Sequence, residues 1–199
     1  MKLQNRKNTD WIRSTLVCVV ITLLWLMFAA AIAHCLDASP QTNQEILTIY
    51  IKRCNPQLPK ILRRLIAEEV INQSMECGIP WEITAAIMKI ESCYNPKAIG
   101  SLGEIGLMQI YTMRCGEVEF QTQYLEDIKY NIAAGLCIFC DKLQAANGDI
   151  FLAIERYNGS GPAAQRFRSM VICVIMELFK VRVSQNRRRI QNVKNTRVK

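Results

Sequence analysis

The sequence lacks most of the residues from which metal centres are built. It contains one histidine, His34, and a single CxxC pair, Cys137 and Cys140, among nine cysteines. Structural zinc sites combine four cysteine or histidine ligands, and a redox CxxC needs a thioredoxin-like βαβ context that the helical pattern here does not offer. The sequence therefore predicts no metal site and no cofactor.

Acidic residues are missing from the C-terminus. Residues 180–199 carry eight Lys/Arg and no acid, whereas residues 34–179 carry 13 Lys/Arg against 16 Asp/Glu. The net charge of +8 is therefore no sign of a basic face on the folded body, and nucleic acid is not expected as a partner. We expect residues 181–199 to form a disordered, solvated tail, with contact to an anionic surface as the alternative.

Charge is also absent from residues 14–33, a run of 20 mostly apolar residues. This is about the length of a helix that crosses the hydrocarbon core of a bilayer. Four cations precede the run, which favours a cytoplasmic N-terminus and an exported body. The run ends in Ala31-Ile32-Ala33, which fits the small-x-small pattern of a signal-peptide cleavage site. Residues 1–36 are therefore interpreted as a transmembrane anchor or a cleaved signal peptide, and both alternatives stay open.

The remaining chain predicts one mainly helical domain over residues 59–180, because apolar residues recur there at helical spacing. Residues 37–58 are interpreted as a spacer in which 45–54 could be helix or strand. Helices are expected over about 60–77, 80–92, 125–146, 149–157 and 163–180, and any strands near 97–115. Eight cysteines follow Cys18; in an oxidising compartment some would form disulfides, whose pairing the sequence does not choose.

Glu91 is the main candidate for chemistry. It ends a helix that is apolar on nearly all faces, so its carboxyl group should be partly desolvated and its pKa raised. A carboxylic acid that stays protonated near neutral pH suits general acid catalysis of glycosidic bond cleavage. A solvated glutamate, or one paired with Lys89 or Lys97, is the alternative that the residues alone leave open.

Four sequence blocks resemble one family. Residues 91–98, ESCYNPKA, resemble the E-S-x-[FY]-N-P-x-A signature of the soluble-type (SLT) lytic transglycosylase domain, and residues 103–110, GEIGLMQI, resemble its G-x-x-G-L-M-Q-[IVL] block. Residues 131–135, NIAAG, and 153–159, AIERYNG, resemble its N-[IL]-x-x-G and A-x-x-x-Y-N blocks. The resemblance implies a lysozyme-like fold, mainly α or α+β, with a glycine-rich cleft loop at residues 100–106.

The resemblance also implies roles for single residues. Glu91 would be the catalytic acid and base. The implied substrate-binding residues are Ser101, Met108, Gln109, Tyr157 and Asn158. Met108 as a core residue and Ser101 as a turn residue are the alternatives.

The implied reaction is non-hydrolytic. Glu91 would cleave the bond between N-acetylmuramic acid and N-acetylglucosamine in peptidoglycan and leave a 1,6-anhydromuramoyl product. Hydrolytic glycosidases normally use two carboxylates, and Glu104, where the family often has a small residue, is the candidate for a second. A muramidase and a non-catalytic glycan-binding scaffold are thus the alternative functions. Residues 111–114, YTMR, depart from the family's M-P-x-T continuation and leave glycan preference open.

The expected partners are peptidoglycan glycan strands and, if residues 14–33 are not cleaved, the membrane. The expected location is the periplasm or the periplasmic face of the inner membrane. Small exported domains of this family commonly open the wall for secretion, conjugation, pilus or phage systems, and the sequence does not select among them.

Overall fold

The computed structural model describes residues 40–111, 114–115 and 118–196. The apolar run at 14–33 lies outside the described residues, so the anchor and signal-peptide interpretations stay predictions. Within the described ranges, no helix is both long enough and apolar enough to cross a bilayer. By its contacts the chain divides into two units after Thr42, and the hydrophobic core lies in the second unit, Asn43–Lys199.

The described elements are mainly helical, as the apolar spacing predicts. The helices are α1 (Pro40–Cys54), α2 (Lys60–Glu76), α3 (Trp81–Ser92), α4 (Ile128–Ala145), α5 (Ile150–Asn158) and α6 (Gly161–Thr196). Two short strands, β1 (Arg114–Cys115) and β2 (Val118–Glu119), pair antiparallel, and a 3₁₀ turn covers Thr122–Tyr124. Strand β1 lies inside the range predicted for strands, and β2 lies just beyond it.

The predicted spacer at residues 37–58 is wrong for α1. This helix buries one apolar face in the common core, through Ile46, Leu47, Tyr50 and Ile51. The sequence left this segment ambiguous because its apolar run is short, and short runs fit either a helix or a strand. The folded body therefore begins before residue 59.

Helix ends follow the local chemistry of the chain. Pro59 and Pro80 precede α2 and α3, where the missing N–H of proline costs no helical hydrogen bond. Asp127 and Asp149 cap α4 and α5, each accepting a hydrogen bond from the backbone N–H three residues on.

The prediction of a disordered tail at 181–199 is wrong for residues 181–196, which continue α6. Val181 extends the buried stripe of Val171, Val174 and Leu178. The guanidinium of Arg182 then lies 2.5 Å from the carboxylate of Glu82 and 5.4 Å from the ring centroid of Trp81. These contacts hold the start of the basic segment against α3. Tertiary packing therefore makes this segment helical, although its charge pattern is typical of a disordered tail.

The CxxC pair does not form an internal disulfide. Cys137 is disulfide-bonded, whereas Cys140 is a free thiol. Burial raises the pKa of the Cys140 thiol, and a hydrogen bond with Cys77 raises it further. The two cysteines therefore have separate environments.

Candidate active site

A cavity of about 390 Å³ lies where the end of α3, the glycine-rich loop and the end of α5 meet. Four of the predicted site residues and Glu104 line it. Its lining residues are Glu91, Leu102, Glu104, Gln109, Tyr111, Ile138, Lys142, Arg156, Tyr157, Asn158 and Gly159. The structure thus brings together side chains that are up to 67 positions apart in the sequence.

Glu91 lies in the last turn of α3 and is only partly exposed. Burial, and to a smaller extent the nearby charge of Glu104, raise the pKa of its carboxyl group to about 7. Within the described part of the chain, no hydrogen bond or ion pair engages this carboxyl group. A group with this pKa can give up or take a proton near neutral pH, as the sequence predicted for an acid at the end of a buried helix.

The backbone after Glu91 is tightly constrained. Cys93 and Tyr94 have φ angles of 51° and 61°, in the left-handed region that side chains other than glycine rarely adopt. Tyr94 is fully buried and donates a hydrogen bond to the carbonyl of Ala85 at 2.9 Å. Ser92 donates to the carbonyl of Leu107 at 2.8 Å, which ties the helix end to the cleft loop. Packing therefore fixes the position of Glu91.

Tyr157 reaches the same cavity from α5. Its hydroxyl donates a hydrogen bond to the carbonyl of Met108 at 2.9 Å, and its ring stacks on Phe167 with centroids 6.5 Å apart. Burial raises the pKa of Tyr157 well above its ordinary value, and the charge of Glu91 raises it further. Tyr157 thus stays a neutral phenol beside Glu91, while Asn158 lines the cavity at the exposed end of the helix.

Gln109 turns the cleft loop back towards α3. Its φ angle is 48°, and its side-chain amide donates to the carbonyl groups of Gly106 and Ala98, at 3.0 and 3.3 Å. Bridges between Ile99 and Ile105, and between Ile105 and Ile110, close the loop on itself. Strained backbone of this kind persists only where the surroundings enforce it, which is common in active sites.

Asn131 connects two of the family-like blocks, residues 131–135 and residues 103–110. This buried side chain accepts a hydrogen bond from the N–H of Met108 at 2.8 Å and donates to the carbonyls of Ile105 and Leu125, at 2.9 and 2.8 Å. Gly106, with a φ of 81°, lies so close that a Cβ there would collide with the Asn131 amide. Asn131 belongs to a block that was found in the sequence, but the sequence alone did not indicate a role for it.

Glu104 folds over Gly100. Its carboxylate accepts a hydrogen bond from the N–H of Leu102 at 2.9 Å, and it occupies the space that a Cβ at residue 100 would need. The glycine at position 100 therefore leaves room for the glutamate side chain. The expectation that Glu104 lies beside the cleft is therefore met, with its charge close enough to affect Glu91.

Two predicted substrate-binding residues do not line the cavity. The side chain of Met108 is fully buried and packs so closely on Gly135 that a Cβ there would collide with its sulfur. It is a core residue, which was the alternative left open. Ser101 is an exposed turn residue of the loop and is likewise absent from the lining.

Several lining residues were missed by sequence reasoning. Lys142 and Arg156 bring cations to the cavity, while Leu102, Tyr111 and Ile138 bring apolar surface. Ile138 and Lys142 are four residues apart on α4, so helical spacing places them on one face. That signal existed, but it could not show which face of α4 the cleft meets.

Comparison with protein families decides the relationship. The model of the transglycosylase SLT domain matches residues 69–169, about half of the chain. The chain belongs to this family. The match spans Glu91, the cleft loop, Asn131 and Tyr157. Membership supports cleavage of glycosidic bonds in peptidoglycan as the general activity. No curated protein matches the chain.

Proposed function

We propose that the chain is a peptidoglycan lytic transglycosylase in which Glu91 is the catalytic acid and base. The observation that carries the proposal is a carboxyl group with a pKa of about 7 in a cavity shared with Gln109, Tyr157 and Asn158. Near neutral pH a substantial fraction of such a group is protonated and can act as an acid, and the carboxylate left by that step can then act as a base.

The proposed reaction uses Glu91 twice. The protonated carboxyl group gives its proton to the oxygen that links N-acetylmuramic acid to N-acetylglucosamine, while the muramic N-acetyl group assists departure. The carboxylate then accepts the proton of the sugar's own 6-hydroxyl group, whose oxygen closes a 1,6-anhydro ring. The Glu91 proton is restored, and no water enters the product.

The side-chain oxygen of Gln109 and the amide group of Asn158 supply hydrogen-bonding groups for sugar hydroxyl and acetamido groups. The phenol of Tyr157 is held towards the cleft loop by its hydrogen bond to Met108. The cations of Lys142 and Arg156 suit the acidic groups that peptidoglycan carries. The apolar walls from Leu102, Tyr111 and Ile138 favour a sugar face and limit water, which would suppress hydrolysis.

Hydrolysis is the second candidate, because Glu104 lines the same cavity and interacts with Glu91. In that case Glu104 would take part in activating a water molecule. The hydrogen bond from Leu102 to its carboxylate favours a fixed loop position for Glu104.

The test is digestion of purified peptidoglycan in ¹⁸O-labelled water, followed by mass spectrometry of the soluble products. We expect unlabelled 1,6-anhydromuramoyl products from the full chain. We expect a loss of about 10²–10⁴-fold or more in rate for Glu91→Gln, and full activity for Glu126→Gln, an exposed matched control. Labelled reducing-end muramic acid would make the protein a hydrolase, and absence of soluble product would make it a scaffold.

We further propose that the body acts outside the cytoplasm, in the periplasm, anchored or released according to whether residues 14–33 are cleaved. The apolar run and the preceding cations support this topology. A small enzyme of this kind would open the cell wall locally for a secretion, conjugation, pilus or phage system. A reporter fused after Lys199 that is active only in the cytoplasm would overturn the topology, and sequencing of the mature N-terminus would decide cleavage.

A further inference from the structure

Two cysteines meet beside the turn that follows Glu91. Cys54 is the last residue of α1, and Cys93 is the first residue after α3. The thiol of Cys93 lies 3.2 Å from the carbonyl oxygen of Cys54, and the side chain of Asn55 donates to the carbonyl of Cys93 at 3.3 Å. The two chain segments are therefore already docked, with both cysteines present as partly exposed thiols.

The surroundings favour attack by Cys93. The Nζ of Lys89 donates to the Sγ of Cys93 at 3.3 Å, which places a positive charge beside the sulfur that must act as a thiolate. By contrast, burial raises the pKa of the Cys54 thiol, although the hydrogen bond with Tyr50 and the charge of Lys89 act against that rise. Cys93 is thus the better nucleophile, and Cys54 the better placed to close the bond.

A second cavity, of about 610 Å³, lies beside the pair and is lined by Cys54 and by Lys89, whose Nζ contacts the sulfur of Cys93. Its lining includes Cys54, Lys89, Tyr50 and Glu177, and its cations outnumber its one acid. The cations of the lining are Arg53, Lys89, Lys180 and Arg188. A cavity of this charge attracts a small anionic disulfide such as oxidised glutathione.

We propose that Cys54 and Cys93 form a redox-active pair, which a small anionic disulfide converts into a bond between α1 and the turn after Glu91. The Cys93 thiolate attacks one sulfur of the oxidant, forming a mixed disulfide and releasing one thiol. Cys54 loses its proton and attacks the Sγ of Cys93, which releases the second thiol. The two cysteines lose two electrons and two protons, and the oxidant gains them.

This bond would secure the strained turn at Cys93 and Tyr94. The turn follows Glu91, so the bond would also restrain the position of this residue. The effect of that restraint on catalysis rests on the proposed function, whereas the thiol exchange needs no peptidoglycan. Closing the loop between residues 54 and 93 restricts the unfolded chain and should raise the Tm of the oxidised protein by roughly 5–10 °C.

The experiment equilibrates the purified full chain with mixtures of reduced and oxidised glutathione, then quenches, alkylates and digests it. We expect a cross-linked peptide pair joining residues 54 and 93, lighter by two hydrogen atoms than the two free peptides. The pair should be lost in Cys54→Ser and Cys93→Ser and retained in Cys173→Ser, the matched variant at an exposed thiol on α6. Lys89→Gln should slow its formation, whereas Lys97→Gln at an exposed site should not.

Separate alkylation of both cysteines under oxidising mixtures would overturn the proposal. Pairing of either with another cysteine, or glutathione adducts that never resolve, would overturn it as well. The mass measurement does not use activity, so a cross-linked protein that releases no wall product would contradict the proposed function and leave the cysteine pair supported. An active protein without the cross-link would do the reverse.

Discussion

The raised pKa of Glu91 has two causes of different kinds. Burial is the larger cause, and the charge of Glu104 is the smaller one. The two can be separated by mutation, because Glu104 can lose its charge while the cleft walls stay in place. Glutamine at 104 keeps the size of the side chain, and its carbonyl oxygen can still accept the hydrogen bond from Leu102.

We expect Glu104→Gln to lower the pKa of Glu91 from about 7, because one of its two causes is removed. A general acid acts in its protonated form, so the alkaline limb of the kcat/KM profile should move to lower pH. The pKa should stay above the ordinary value of 4.5, since burial remains.

The measurement is the pH dependence of peptidoglycan solubilisation, with Glu126→Gln as the control. An unmoved limb would mean that Glu104 does not act on Glu91 electrostatically. Complete loss of activity at every pH, together with ¹⁸O-labelled products from the unmutated chain, would instead point to two-carboxylate hydrolysis.

At the scale of elements, α4 holds the cleft loop through two contacts. Asn131 binds the backbone of the loop, and Gly135, one turn further on, accommodates the side chain of Met108. Both residues lie in the NIAAG block. This block therefore supports the cleft loop and does not itself line the cavity.

Gly135→Ala should destabilise the fold although alanine favours helices more than glycine does. The added methyl group would collide with the sulfur of Met108 in a filled core, at a cost of about 1–3 kcal/mol. Urea unfolding should show this loss, and Met108→Ala in the same chain should make the Gly135 change nearly neutral. If Gly135→Ala is stabilising, helix propensity outweighs the contact and the packing argument fails.

The basic end of α6 offers a second contrast between elements. Arg182 lies between Glu82 and the ring of Trp81 with side chains 30% and 22% exposed in the ion pair, whereas Arg189 and Glu45 are 50% and 67% exposed. Exposed ion pairs contribute little, and partly desolvated ones with a cation–π contact contribute more.

We therefore expect Arg182→Gln to lower the free energy of unfolding by about 1–2 kcal/mol, and Arg189→Gln by at most about 0.5 kcal/mol. Chemical denaturation at low and high salt would measure both. Equal effects from the two variants would show that α6 is held by net charge rather than by the specific contact at Trp81.

Sequence periodicity predicted α2, α3, α4 and α5 because their apolar residues recur at helical spacing over two turns or more. It did not predict α1 or the end of α6, whose stability comes from tertiary contacts. Tyr50 donates to Glu177 at 2.5 Å across 127 positions, a pairing that no local pattern contains. For the same reason Glu91, Gln109 and Tyr157 could be named from motifs, whereas Lys142 and Arg156 could be found only from the fold.

At the scale of the whole molecule, the raised pKa of Glu91 makes stability depend on pH. The unfolded chain titrates this carboxyl near 4.5 and the folded chain near 7. Below pH 4.5 both states are protonated and folding is not penalised. As pH rises through this window the unfolded state loses its proton first, so stability falls.

Glu91→Gln should remove that penalty. The free energy of unfolding of the variant, relative to that of the unmutated chain, should rise by on the order of 2–3 kcal/mol from pH 4 to pH 8. Urea denaturation at the two pH values measures the gain, and subtracting the curves cancels the other carboxylates. A difference that is the same at both pH values would mean that Glu91 titrates normally in the folded protein.

The partners of α1 lie on α6, far along the sequence. Tyr50 and Glu45 contact Glu177 and Arg189, so α1 needs partners that are synthesised 127 and 144 positions later. Until α6 is complete, α1 lacks the surface that covers part of its apolar face, and such exposed faces favour aggregation. Contacts this distant in sequence also slow folding, since a long loop must close before they form. Completion of the fold therefore waits for α6, and loss of α6 would leave α1 without these partners.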